Sequence, residues 1–109
     1  MELINLTTHD IRIISEIGET IQVIKSSGLV VCNKHTHYCN KINGIPIVKI
    51  EYDRVVNMPE QRPGVGYIVT IVVAEQLKKE GRTEDIYVPE KVVRAANGGI
   101  LGCKYLAQL

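Results

Sequence analysis

A chain of 109 residues, 45% hydrophobic and 23% charged, has room for one core over residues 1–109; it is neither disordered nor in need of disulfide staples. A formal charge of +1 without a run of like charge lacks the basic stripe a nucleic-acid backbone needs, so no DNA or RNA partner is expected. The longest apolar stretch, Tyr67–Ala74, is too short to cross a membrane, and Met1-Glu2-Leu3 has neither the basic start nor the apolar run of a signal peptide. Three Cys, an odd number, read as reduced thiols, and the expected location is the cytoplasm.

With no Phe or Trp, the core must come from Ile, Val and Leu, and this β-branched wealth leans the chain toward strands. Leu3–Leu6 and Ile11–Ile14 are short β-rich runs around a polar Thr7-Thr8-His9-Asp10 corner. Gly18 sits between Ile11–Ile14 and Ile21–Ile24, which predicts a hairpin with a loop of several residues. Ser26-Ser27-Gly28 is a turn cluster before a strand at Leu29–Cys32. Asn43-Gly44 is a two-residue hairpin turn, because both positions tolerate positive φ. Val48, Ile50 and Tyr52 then alternate with Lys49 and Glu51, and Pro46 assigns this strand to an edge. Pro59, Pro63, Gly64 and Gly66 mark the main loop.

Tyr67–Val69 reads as a buried strand, after which the hydrophobic period changes. Over 71–80, Val73, Ala74 and Leu77 fall on one face of a helix of about three turns. Thr70 is its expected N-cap and Gly81 its left-handed C′ residue. Ile86–Val88 is a strand stopped by Pro89, and Asn97-Gly98 closes a hairpin between Val92–Arg94 and Ile100–Leu106. One period switch in a chain of short strands predicts an α+β fold: a mostly antiparallel β-sheet from residues 2–56 and 86–106, with one short α-helix packed on one face.

The chemistry is sparse. Cys32, His35, His37 and Cys39 match zinc in ligand identity, but a tight hairpin placing Cys32 opposite Cys39 would splay the histidines, so an exposed hairpin tip without metal is expected. His9 with Asp10 could be a base and its orienter, yet no nucleophile elbow or carboxylate pair accompanies it, and no catalytic residue is assigned. The strand–Thr70–helix junction presents free amides to an anion. Arg82 and Arg94 near strand ends could form a fork for phosphate or carboxylate, unless Arg82 simply neutralises Asp85. The expected ligand-binding set is therefore Thr70, Arg82, Arg94 and His9, with no cofactor. If strands 67–69 and 86–88 are parallel, Thr70 lies at the carboxyl edge of the sheet, where open α/β sheets bind ligands. Arg82 leaves the helix at its other end, about 15 Å away, so a neighbouring subunit would have to supply it, and a homo-oligomer is expected. Cys103 is expected to be buried.

Several stretches resemble a family of small proteins frequent in bacteriophages and prophages. Asn5-Leu6-Thr7-Thr8-His9-Asp10-Ile11 is similar to an opening Asn-Leu-Thr-Pro-His segment, with Thr8 in place of the proline. Ser26-Ser27-Gly28, Tyr67-Ile68-Val69-Thr70 (Thr70 replacing a serine), Gly81-Arg82…Asp85…Val88-Pro89, and Val93-Arg94…Gly99…Leu101-Gly102-Cys103 continue the likeness, which omits residues 31–56. The resemblance implies a phage accessory protein and no particular activity. Such proteins often counter host immunity, some as sponges for nucleotide signals. The expected function is thus an anti-defence binding protein for an anionic, nucleotide-like molecule. The alternatives are a structural or virion-associated domain and a small hydrolase using His9.

Overall fold

The computed structural model describes residues 1–109, of which 48% lie in strands and 8% in helix. The strands are β1 (Glu2–Asn5), β2 (Ile11–Ile14), β3 (Thr20–Ile24), β4 (Lys34–Ile42), β5 (Ile45–Tyr52), β6 (Val65–Ile68), β7 (Ile86–Arg94) and β8 (Ile100–Ala107); α1 (Ile71–Lys79) lies between β6 and β7. The fold is α+β with a single short helix, as the period switch implies. The three hairpins β2–β3, β4–β5 and β7–β8 are antiparallel and carry most of the paired positions.

Two features of the sheet differ from the sequence reading. Residues 34–52 do not join it: β4 and β5 form a separate two-stranded arm, while the main sheet runs β1-β6-β7-β8-β2-β3. Secondly, β6 inserts between β1 and β7, parallel to both, and β2 meets β8 in parallel at Ile13 and Cys103. The outer strands β1 and β3 then come together through a bridge between Asn5 and Ser26, so the sheet curls back on itself at one end.

The curl makes two cores. Tyr67, Val69, Ile86 and Val88 on one face pack against Val73, Ala74 and Leu77 of α1. Ile11, Ile24, Ile68 and Cys103 fill the concave face. Cys103 is buried there, and burial pushes its thiol pKa up, away from the reactive thiolate.

The helix is sharply terminated. Gly81 has φ +87°, and the amides of Arg82 and Gly81 donate to the carbonyls of Leu77 and Lys78, a complete Schellman motif. Its start differs from expectation: Thr70 holds the N-cap backbone conformation, but its side chain makes no capping bond.

Leu29–Cys32 is no strand. It is extended only along the edge of the helical core, where Val30 is buried and its amide donates to Leu6. Nor does Pro89 stop a strand, since β7 runs through it. Val69 donates to the Tyr87 carbonyl, so alternate residues of β7 turn their backbone toward β6. Pro89 turns the same way, and its missing N–H falls where the β6–β7 pairing has ended, after Ile68 and Tyr87.

No helix is long and apolar enough to cross a membrane. The radius of gyration is 16.7 Å, against about 13 Å for a compact chain of this length. The projecting β4–β5 arm, exposed along nearly its whole length, accounts for the excess.

Candidate functional site

β1, β6 and β7 run parallel, and the carboxyl ends of β1 and β6 open on one side of the sheet, against the middle of β7. Thr7-Thr8-His9 follows β1, Val69-Thr70 follows β6, and Pro89 lies beyond the β6 pairing on β7. Together with Arg12 on β2 and Ile100–Cys103 on β8, these residues line an open groove of about 560 Å³. Ligands of α/β sheets enter at this end because strand ends and helix amides converge there.

The groove wall is built around Asn5, which is completely buried. Its amide nitrogen donates to the carbonyls of His9 (2.8 Å) and Ile24 (3.0 Å). Its amide oxygen accepts from the Thr7 amide (3.0 Å) and hydroxyl (2.7 Å). Both donors and both acceptor sites of the side chain are thus used, and the Thr7–His9 corner is locked with the His9 side chain exposed. Asp10 is tied away from His9: its carboxylate accepts from the Ser26 amide at 2.8 Å and pairs with Lys25 at 3.1 Å. The Ser26 hydrogen bond first, then Lys25, hold its pKa below the usual carboxylate value. The His9–Asp10 base-and-orienter pair considered from sequence is therefore not assembled.

Of the expected ligand set, Thr70 and His9 meet in this groove, and Arg82 and Arg94 do not. Arg82 stands past the far end of α1. Its Nε and Nη2 donate to the two carboxylate oxygens of Asp85 at 3.1 and 2.7 Å, and its guanidinium lies over the Tyr67 ring, 5.7 Å from the centroid. Asp85 is buried, and this bond chiefly holds the Arg82 guanidinium protonated. The neutralising role weighed against ligand binding is the arrangement found. Removing Arg82 (Arg82→Ala) would leave Asp85 buried without its cation; since water still reaches the guanidinium, the expected loss is about 2 kcal/mol. Chemical denaturation checks this, and an unchanged midpoint would show the pair contributes nothing. Arg94 lies on its own hairpin, where it donates to the Gly98 carbonyl at 3.0 Å.

Arg12 is the groove cation that sequence reading missed. A lone arginine inside Ile11-Arg12-Ile13-Ile14 points away from the buried isoleucines, and that alternation was its only signal. It is exposed and makes one weak bond, to the Thr20 hydroxyl at 3.3 Å. Val92, Ile100 and Leu101 add an apolar lining. The groove thus combines apolar surface, the Arg12 cation, an imidazole, a free hydroxyl and helix amides that no side chain caps, beside the Asp10 carboxylate that Ser26 and Lys25 already engage.

The histidine–cysteine stretch is dispersed. The arm turns at Asn43-Gly44, so Cys32 never reaches β4 and instead packs on the helical core. His35 pairs with Asp53 at 2.8 Å and His37 with Glu51 at 3.3 Å.

No family model, curated protein or solved structure matches this chain.

Proposed function

We propose that the protein is a binding module that takes a small anionic, nucleotide-like molecule into the groove at the carboxyl ends of β1 and β6, beside Pro89 and Val92 of β7. The observation that carries this reading is the uncapped start of α1: the Thr70 hydroxyl is not used for capping, and it borders the groove alongside Arg12 and His9. A phosphate would engage the helix amides and Arg12, while a base or sugar would lie on Val92, Ile100 and Leu101. The resemblance to phage proteins supplies the context of a sponge for a nucleotide immune signal. Arg82 and Arg94 are left out of this reading because neither lines the groove.

The test is to purify the protein from cells making cyclic-nucleotide or ADP-ribose signals, heat it, and identify released nucleotides by mass spectrometry. Release of an intact nucleotide in stoichiometric amount is expected. Removing Arg12 (Arg12→Ala) should weaken binding of that nucleotide about 10- to 100-fold in calorimetry, as befits a hydrogen bond to a charged group. Release of a chemically altered nucleotide would favour the hydrolase, and no retained or titratable nucleotide would favour a structural domain.

A further inference from the structure

We propose that the outer edge of β5 is a homodimer interface, on which two copies pair antiparallel about a two-fold axis at Ile50. This inference is independent of the ligand reading. An isolated two-stranded hairpin is at best marginally stable in water, yet β4–β5 extends from the body with Tyr38, Val48 and Ile50 exposed at 62%, 47% and 52%. Residues directly opposite one another share a face. The pairs Tyr38/Val48, Thr36/Ile50 and Lys34/Tyr52 therefore give the arm an apolar side, and His35/Glu51 with His37/Lys49 give it a polar side. A cleft of about 400 Å³ lies between Ile50–Tyr52 and the outer face of α1, and β5 has no strand partner other than β4.

The backbone limits how a second strand can add. Ile42 and Ile45 flank the two-residue turn and face each other, and the Asp53 amide donates to Asn33. Odd-numbered residues of β5 thus turn their backbone toward β4, and Val48, Ile50 and Tyr52 turn theirs outward. Pro46 is on the outward set and has no N–H to give. Among two-fold registers, centring on Val48 places Pro46 in the ladder. Centring on Lys49 sets Lys49 against its own copy, and centring on Glu51 does the same for that carboxylate. Centring on Ile50 avoids all three. It pairs Ile50 with Ile50 and Val48 with Tyr52 on the apolar side. On the polar side it sets Lys49 against Glu51 twice, at the closely spaced positions with Cα atoms about 4.5 Å apart. The strand is self-complementary in charge only in this register.

Sedimentation analysis of the full chain tests it. The wild type should be a dimer at micromolar concentration. Reversing either charge alone (Lys49→Glu or Glu51→Lys) sets like charges opposite each other twice, and should weaken dimerisation about tenfold or more. Both residues are exposed, so thermal melting of the monomer should be unchanged. Mixing the two variants restores both opposite-charge pairs and should recover a heterodimer. A monomeric wild type, a dimer indifferent to either reversal, or no recovery on mixing would each overturn the proposal.

Discussion

Replacement of Asn5 by alanine should cost about 3–5 kcal/mol and lower the melting temperature by about 15 °C or more. Asn5 is fully buried, so water cannot take over its hydrogen bonds. Truncation orphans the Thr7 amide and the Ile24 carbonyl, and each unsatisfied buried group costs about 1–3 kcal/mol. The His9 carbonyl still has the Thr7 hydroxyl at 3.0 Å, which limits the loss. The damage is not confined to one turn. Asn5 sits where β1 meets the end of β3, and the Ser27 amide donates to its carbonyl at 2.8 Å. Loosening that junction opens the curled sheet and frees the His9 corner of the groove. Calorimetric melting gives the first effect, and faster hydrogen exchange across Thr20–Ile24 gives the second. The neighbouring exposed Thr8, changed to alanine, should cost little. Equal melting temperatures for the two variants would show that the network is not what closes the sheet.

Substitution of Gly102 by alanine should be of similar severity, about 3 kcal/mol or more, for a different reason. Its backbone φ is not positive, so space and not conformation demands glycine. A Cβ there would meet the Arg12 carbonyl oxygen and crowd Ile14 Cγ1 at 3.0 Å. The first obstacle is backbone, which cannot rotate aside, so β2 and β8 must separate where Ile13 pairs with Cys103. That seam holds the β2–β3 hairpin to the rest of the sheet, and Arg12 reaches the groove from it. Gly66 offers the internal comparison. Its added Cβ would meet the Tyr87 ring at 2.7 Å, a side chain that can shift, so Gly66→Ala should cost less. Circular-dichroism melts of both variants decide the matter. A Gly102 variant as stable as the Gly66 variant would show that the seam adapts.

Asn5 and Gly102 lie near opposite ends of the chain. Their roles here are architectural: one closes the curled sheet and the other lets two strands approach.

Hairpins, helix and turns were legible because each is set by residues close in sequence. Positive φ at Asn43 and Gly44 makes the arm's turn, a left-handed Gly81 ends the helix, and the spacing of Val73, Ala74 and Leu77 names its buried face. Cys103 is buried as expected, but by Ile11, Ile24 and Ile68 and not by the exposed Leu101 and Tyr105 of its own strand. What local pattern could not supply was partnership between distant segments. Nothing in Val65–Ile68 states that it will lie between β1 and β7, because any buried strand of that length fits several slots and the choice is made by the total apolar area covered. Alternation in β5 signalled one buried face, but in the folded chain Val48, Ile50 and Tyr52 are exposed, because β4 and β5 pair only with each other and stand apart from the main sheet. The groove shows the same division. Thr70 and His9 could be named from helix start and turn chemistry, whereas Arg12 joined them and Arg82 left them only when the sheet curled and a buried Asp85 demanded the nearest cation.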